Sequence, residues 1–285
     1  MPMNDESPVG VAALIRSRLG ECSPAERRVG RALLAAYPAA GLETVAALAA
    51  RAEVSAPTVL RFLARLGFRG YPEFQRALRA ELDERGTSPL SAYRPGPPDG
   101  DLERARQVLP EAVAATLADL PQGELDRAVR LLADHNTRVT AYGGRFSQLL
   151  AHYLVLHLMQ IRGNSRLLPD RPVERVEALV DVGRRDVFVL FDFRRYEEPT
   201  LALAREVTAK GARVILCTDR WLSPVAGLAE AVLSARVDSP SPYDSFVPAL
   251  AVLETLVGTL LTRLGPTARD RLAAVEEAGN RFSAL

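Results

Sequence analysis

The sequence predicts an α-helical domain carrying a helix-turn-helix, followed by an α/β domain built on a doubly wound parallel sheet. Three observations predict it. Apolar residues recur at three- and four-residue spacing throughout the first 85 or so positions, as on helices that bury one face. A Pro- and Gly-rich stretch, TSPLSAYRPGPPDG at 87–100, supports neither helical nor strand periodicity. Beyond it, short runs of β-branched and aromatic residues alternate with helical patterns, the signature of βαβ units. The expected division is a helical domain at 1–86, a linker at 87–104 and the α/β domain at 105–285.

In the first part, five helices are expected from VAALIRSRL, PAERRVGRALLAAY, ETVAALAARA, PTVLRFLARL and PEFQRALRAEL. Their starts are marked at Ser23-Pro24, Ser55-Ala56-Pro57 and Tyr71-Pro72, where a hydroxyl cap or an early proline suits a helix amino terminus. In the second part, helices are expected at Leu125 to Ala133, Ser147 to Ile161 and Thr200 to Lys210, the last closed by Gly211. Strands are expected at Arg138 to Tyr142, Asp186 to Phe191 and Arg213 to Thr218, and a long apolar helix at Pro248 to Leu264. In such sheets ligands lie beyond the carboxyl ends of the strands, so the loops after Tyr142, Phe191 and Thr218 are the ones to inspect.

Composition excludes several classes. Hydrophobic residues make up 48% of the chain and charged residues 25%, the balance of a globular protein with a sizeable core. The start MPMNDESPVG lacks the basic and apolar regions of a signal peptide, and no uninterrupted membrane-length apolar run occurs; a cytoplasmic location without membrane attachment is expected. Cys22 and Cys217 fall in different expected domains, and His135, His152 and His157 lack companions at ligand spacing. No metal and no cofactor is expected.

The net charge of +1 is distributed unevenly: from Arg16 to Arg79 there are eleven arginines and five acidic residues. That is a modest basic footprint on the helical domain. Within it, Leu42 to Ala52, Glu53-Val54-Ser55 and Ala56 to Leu66 have the spacing of a helix-turn-helix. Ala46, Ala47 and Ala50 are expected to let the two helices approach, and Val54 to plug the core between them. Val59, Phe62, Leu63 and Leu66 are expected to face the core, leaving Ser55, Ala56, Thr58, Arg61 and Arg65 outside. On this reading Ser55, Ala56, Pro57 and Thr58 meet phosphate and base edges at the start of the recognition helix. Arg61 reaches a guanine or a phosphate, and Arg65, Arg69 and Tyr71 hold the DNA backbone.

The segment from Ser23 to Leu82 resembles the amino-terminal domain of the RpiR-type family of bacterial regulators. Ser23-Pro24-Ala25-Glu26-Arg27-Arg28-Val29, Ala46-Ala47-Leu48-Ala49, Val54-Ser55, Thr58-Val59, Arg61-Phe62 and the run Leu66 to Phe74 carry the resemblance. It implies a sugar isomerase (SIS) domain in the second part, and roughly residues 105–265 resemble one in order and length. The implied partners are a double-stranded DNA operator and a phosphorylated sugar or other anionic small molecule, with assembly as a homodimer or homotetramer.

Two SIS loops depart from the family pattern. The family's Gly-x-Gly-x-Ser is Gly143-Gly144-Arg145-Phe146-Ser147 here, and its Ser-x-Ser-Gly-x-Thr falls on Asp192-Phe193-Arg194-Arg195-Tyr196-Glu197. The third loop keeps Thr218-Asp219 and a later Ser223-Pro224, and Trp221 within it either walls a pocket or covers the sheet edge. Candidate ligand residues are therefore Gly143, Arg145, Ser147, Asp192, Arg194, Arg195 and Thr218. The three arginines either clamp an anion, as guanidinium forks do, or pair with Asp192 and Glu197. Glu254 stands where sugar isomerases of this resemblance place an acid-base glutamate, but a lone glutamate on a helix is usually solvated, and no catalytic residue is expected.

Overall fold

The computed structural model describes residues 10–86, 88–93 and 101–282. These fall into two compact units, one running to Ala92 and including Arg220–Gly227, the other running from Tyr93 to Asp219 and from Leu228 onward. The segment after the fourth strand therefore groups with the helical unit, which sequence order alone did not suggest. Trp221 lies in that segment and is buried.

The helical unit comprises α1 (Val11–Arg18), α2 (Pro24–Ala35), α3 (Ala39–Leu42), α4 (Val45–Arg51), α5 (Ala56–Arg65), α6 (Tyr71–Gly86) and α7 (Pro89–Ala92). The α2 start is a reciprocal capping box: Ser23 Oγ accepts from the Glu26 N–H at 3.3 Å, and Glu26 Oε2 accepts from the Ser23 N–H at 2.9 Å. One core of Ile15, Val29, Leu33, Leu48, Val59, Phe62, Leu63, Phe74 and Leu78, all fully buried, joins the helices. Val54 packs against it as expected, but Ala46 and Ala50 are exposed. Ala49, on the buried face of α4, is instead the small residue in the core.

The turn between α4 and α5 closes with two bonds, Glu53 N–H to Ala50 O at 3.1 Å and Val54 N–H to Ala49 O at 2.9 Å. This geometry places Glu53 in the left-handed region, at φ 52°. The corresponding position after α5 is Gly67, at φ 97°. A non-glycine residue in this region costs about 1–2 kcal/mol, part of which glycine's greater unfolded-state freedom cancels. Glu53→Gly is expected to stabilise the helical unit by about 0.5–1 kcal/mol, read as a higher denaturation midpoint at unchanged slope.

The second unit contains α8 (Asp101–Asp119), α9 (Gln122–Ala133), β1 (Arg138–Gly143), α10 (Gln148–Ile161), β2 (Ser165–Leu167), α11 (Pro172–Val180), β3 (Asp186–Phe191), α12 (Glu198–Ala209), β4 (Arg213–Asp219), β5 (Ala231–Ala235), α13 (Val247–Leu264) and α14 (Pro266–Phe282). Within the expected linker at 87–104, Pro89–Ala92 forms a helical turn and α8 begins at Asp101, while residues 87 and 94–100 lie outside the described residues.

The sheet order is β2-β1-β3-β4-β5 and every pair is parallel. All six residues of β3 are buried, as a parallel sheet covered on both faces requires. The order reverses between β1 and β3, so the loops following these two strands flank the crevice of the topological switch point. By length and composition α13 matches a membrane-spanning helix, yet Val252, Leu253, Leu256 and Leu260 bury it against α8, α9 and α10 as a core helix.

Candidate DNA interface and effector crevice

The recognition helix α5 is braced from behind and from one end. Phe62 and Leu63 anchor it in the core. Arg65 Nε donates to Glu26 Oε1 at 3.4 Å, tying α5 to α2. Bonds from the Ser23 backbone and hydroxyl, joined by Arg65, hold the Glu26 carboxyl below the usual glutamate range against the opposing effect of burial. Arg28 donates to the Glu53 carbonyl in the turn.

The exposed side of α5 presents Pro57, Leu60, Arg61, Ala64 and Arg65, with Ser55 at its cap. Two of the expected DNA contacts, Thr58 and Tyr71, are buried. Thr58 is only 7% exposed and lies on the inner side, where its Oγ1 meets Ser55 Oγ at 3.0 Å and accepts from Arg61 Nη2 at 3.0 Å. Its hydroxyl therefore holds the Arg61 guanidinium from the inner side of the helix. Tyr71 is buried and its hydroxyl donates to the Glu43 carbonyl at 3.1 Å, bracing α6 against the segment before α4.

Ala56 is half-buried, while Arg69 is exposed and its backbone N–H donates to Glu73 Oε2 at 2.6 Å. The sequence reading missed Leu60. It is a large apolar side chain, 44% exposed, in the middle of the outward face beside Arg61. The spacing signal was available, since it lies three residues after Pro57 and four before Ala64.

In the second unit, the loop after β1 folds tightly on itself. Ser147 Oγ donates to the Phe191 carbonyl and accepts from the Gly144 N–H, both at 2.9 Å, and the Gly143 N–H donates to Gln148 Oε1 at 3.0 Å. Gly143 admits no side chain, because a Cβ there would stand 2.5 Å from the Ser147 backbone. The Ser147 hydroxyl and the Gly143 N–H, both from candidate ligand residues, thus bond within the loop.

The loop after β3 is equally self-engaged. Asp192 is buried and its Oδ1 accepts from the Glu197 N–H at 3.2 Å. Arg194 Nε forks onto Asp244, at 2.6 and 2.7 Å from its two oxygens. Burial opposes the Arg194 charge, but the bond to Asp244 and the negative charges of Asp244, Asp219 and Asp238 together outweigh it and raise the guanidinium's pKa. Asp244 is thus a partner of Arg194 that the sequence reading did not name.

Arg195 is exposed at φ 67°, and Arg145 is exposed with its guanidinium 5.2 Å from the Phe146 ring centre. Thr218, a further candidate ligand residue, is fully buried in β4. Glu197 reaches back to the first loop, where its Oε1 accepts from the Arg145 N–H at 3.2 Å. Glu254 accepts from the Tyr153 hydroxyl at 3.0 Å, and this bond raises the Tyr153 pKa. Among the described residues no cluster of histidine, cysteine and carboxylate residues has metal-holding geometry.

Two family models match the chain in succession. The helix-turn-helix domain of the rpiR family matches residues 9–85 and the SIS domain matches residues 131–258. The HTH-type transcriptional regulator HexR of Escherichia coli (strain K12) is 28% identical over 93% of this chain and 92% of its own. The Vibrio vulnificus NanR protein, solved in complex with ManNAc-6P, superposes with a TM-score of 0.53 at 20% identity, over 95% of this chain and 98% of its own. The sugar isomerase domain of an RpiR transcription factor from Sphaerobacter thermophilus superposes with a TM-score of 0.59 at 21% identity, over 63% of this chain and 99% of its own. With the helix-turn-helix and the parallel-sheet unit in the order these matches require, the chain is a DNA-binding transcriptional regulator that joins a helix-turn-helix domain of the rpiR family to a SIS domain.

Proposed function

We propose that the protein acts in the cytoplasm as a homodimer or homotetramer, which sets the α5 helices of two copies on the half-sites of a roughly palindromic operator. The observation that carries this is the exposed face of α5, where Leu60 and Arg61 project from a helix anchored by Phe62, Leu63 and the Arg65 to Glu26 pair. Ser55, Ala56 and Pro57 form the helix start nearest the DNA. Arg61 reads a guanine edge or grips a phosphate, Arg65 and Arg69 lie along the backbone, and Leu60 packs on a thymine methyl.

Arg61→Ala is expected to weaken operator binding by about 5- to 100-fold at fixed salt. Thr58→Val keeps the buried shape but removes the hydroxyl, and is expected to weaken binding less than Arg61→Ala. Leu60 is tested by replacing operator thymines with deoxyuridine, which removes only the methyl group. A subset of replacements is expected to weaken the parent protein and leave Leu60→Ala unaffected; equal sensitivity of the two proteins would exclude the contact.

Assembly through the second unit is supported by apolar side chains left outside. Helix α11 exposes Val173, Val176 and Val180 along one stripe, and α10 exposes Leu149, Leu156 and Met159. A second copy covering these faces buries apolar area that a monomer leaves in water.

The second unit, on this reading, takes a phosphorylated sugar or a related anionic ligand in the crevice between the loops after β1 and β3 and performs no catalysis on it. NanR with its bound ManNAc-6P supports the ligand class. A ligand favouring one arrangement of the paired subunits by about 1–3 kcal/mol suffices to control DNA binding. A second reading, a SIS unit that serves only assembly, is favoured by the Arg194 to Asp244 pair and by the self-engaged loops. Melting temperature against sugar-phosphate concentration separates the two, because only a bound ligand gives a concentration-dependent rise.

A further inference from the structure

The space above Gly144 is occupied by a carboxylate of the chain itself. A Cβ on Gly144 would stand 2.4, 2.6 and 2.7 Å from the Oε1, Cδ and Oε2 atoms of Glu197, and these are its three nearest neighbours. The missing side chain leaves a notch, and the carboxylate fills it while accepting the Arg145 N–H at 3.2 Å. Carboxylate and phosphate oxygens seek the same donors, so this is the position an anionic ligand would take in the crevice.

We infer that Glu197 is an internal competitor that sets the affinity and selectivity of the effector crevice, and that a phosphorylated ligand binds by displacing its carboxylate from the Gly144 notch. The inference rests on the effector reading given above. The backbone of Glu197 is held independently of its side chain: its N–H donates to Asp192, and its carbonyl accepts from the Thr200 N–H at 2.9 Å at the start of α12. The side chain can therefore swing out by rotation about its own bonds while the loop stays in place. Among the described residues no salt bridge holds the carboxylate in the notch, since Arg194 is engaged by Asp244 and Arg145 lies over Phe146. The hold is one backbone hydrogen bond and the fit against glycine, which a bound phosphate can replace.

An internal competitor lowers apparent affinity by the fraction of time the notch is open, so removing it raises affinity by the reciprocal of that fraction. The test uses the full-length parent, Glu197→Ala, Glu197→Gln and Gly144→Ala, titrated calorimetrically with inorganic phosphate and with glucose 6-phosphate at constant ionic strength. Glu197→Ala is expected to bind phosphate about 10- to 100-fold more tightly than the parent for an open fraction of about 0.1 to 0.01. Glu197→Gln, which keeps the shape and loses the charge, is expected to show a smaller gain in the same direction. Gly144→Ala, whose methyl fills the notch, is expected to gain nothing.

Equal phosphate affinity in the parent and both Glu197 variants overturns the inference, and Glu197→Gln alone decides if the alanine variant does not fold. The effector reading is scored separately, by operator binding with and without the sugar phosphate. Tighter phosphate binding in the variants with no effect of any sugar phosphate on operator binding leaves the internal competitor standing and removes the effector reading. The reverse pattern removes the competitor alone.

Discussion

Replacing Arg162 by methionine is expected to cost the α/β unit about 3–5 kcal/mol, because several buried carbonyls lose their donor at once. Arg162 follows α10 and is 2% exposed, yet no carboxylate pairs with it among the described residues. Its guanidinium instead donates to the carbonyls of Leu132, Thr137, Asp134 and Gly163. Leu132 and Asp134 lie at the carboxyl end of α9, where orphan carbonyls and the helix dipole favour a cation. Burial lowers the Arg162 pKa, opposed by the Asp134 charge, so the carbonyl cage compensates for real desolvation. Unfolding of the purified protein by heat is expected to show the transition of this unit lowered by roughly 10 °C at the energies above. Arg162→Lys, with one compact charge and fewer donors, should recover only part of the loss.

Glu81→Ala is expected to cost the helical unit about 2–4 kcal/mol, from two buried donors left unpaired and the space vacated. Glu81 lies in α6 with 8% exposure and accepts from the Tyr37 hydroxyl and from the Val11 N–H, the first amide of α1. One carboxyl thus joins three parts of the unit. Burial raises its pKa, against the opposing bonds from Tyr37 and Val11 and the charge of Arg85.

The folded protein therefore holds this proton more tightly than the unfolded chain does. Its contribution is fully present below the unfolded value of about 4.3 and is lost as pH rises through the folded value. Denaturation of the parent and of Glu81→Gln across this range should show the parent losing stability relative to the variant as pH rises. A pH-independent difference would show that Glu81 does not titrate in a shifted environment.

How much of the fold was legible follows from how each element is stabilised. Strands β1, β3 and β4 are read from β-branched and aromatic runs because both faces of a parallel sheet are buried. Strand β2 has three residues with Arg166 in the middle, and β5 reads AVLSA, a composition that suits a helix as well. Both are strands because of their neighbours, which no local pattern reports. Helices α11 and α14 were missed for a related reason: α11 buries none of its residues and α14 only Ala268.

The site was legible in outline and misread in detail. The start of α2 at Ser23-Pro24, the turn at Glu53 and the core face of α5 follow from spacing. Thr58 was set outside with the residues left over from the core face, although it lies four residues before Phe62 and so shares the inner side of the helix. The partners of Arg194 and Glu197 were beyond reach of the sequence, since Asp244 and Gly144 stand about fifty residues away and are brought in only by the order of the strands.

The most direct test of the central claim is genomic footprinting of the purified protein and of Arg61→Ala on fragments of its own genome, at one fixed salt concentration. Binding by α5 in paired copies predicts discrete sites for the parent, each with two related half-sites about one helical turn or a multiple of it apart, and loss of those sites for the variant. Absence of discrete sites for the parent, or an identical footprint from Arg61→Ala, would contradict it.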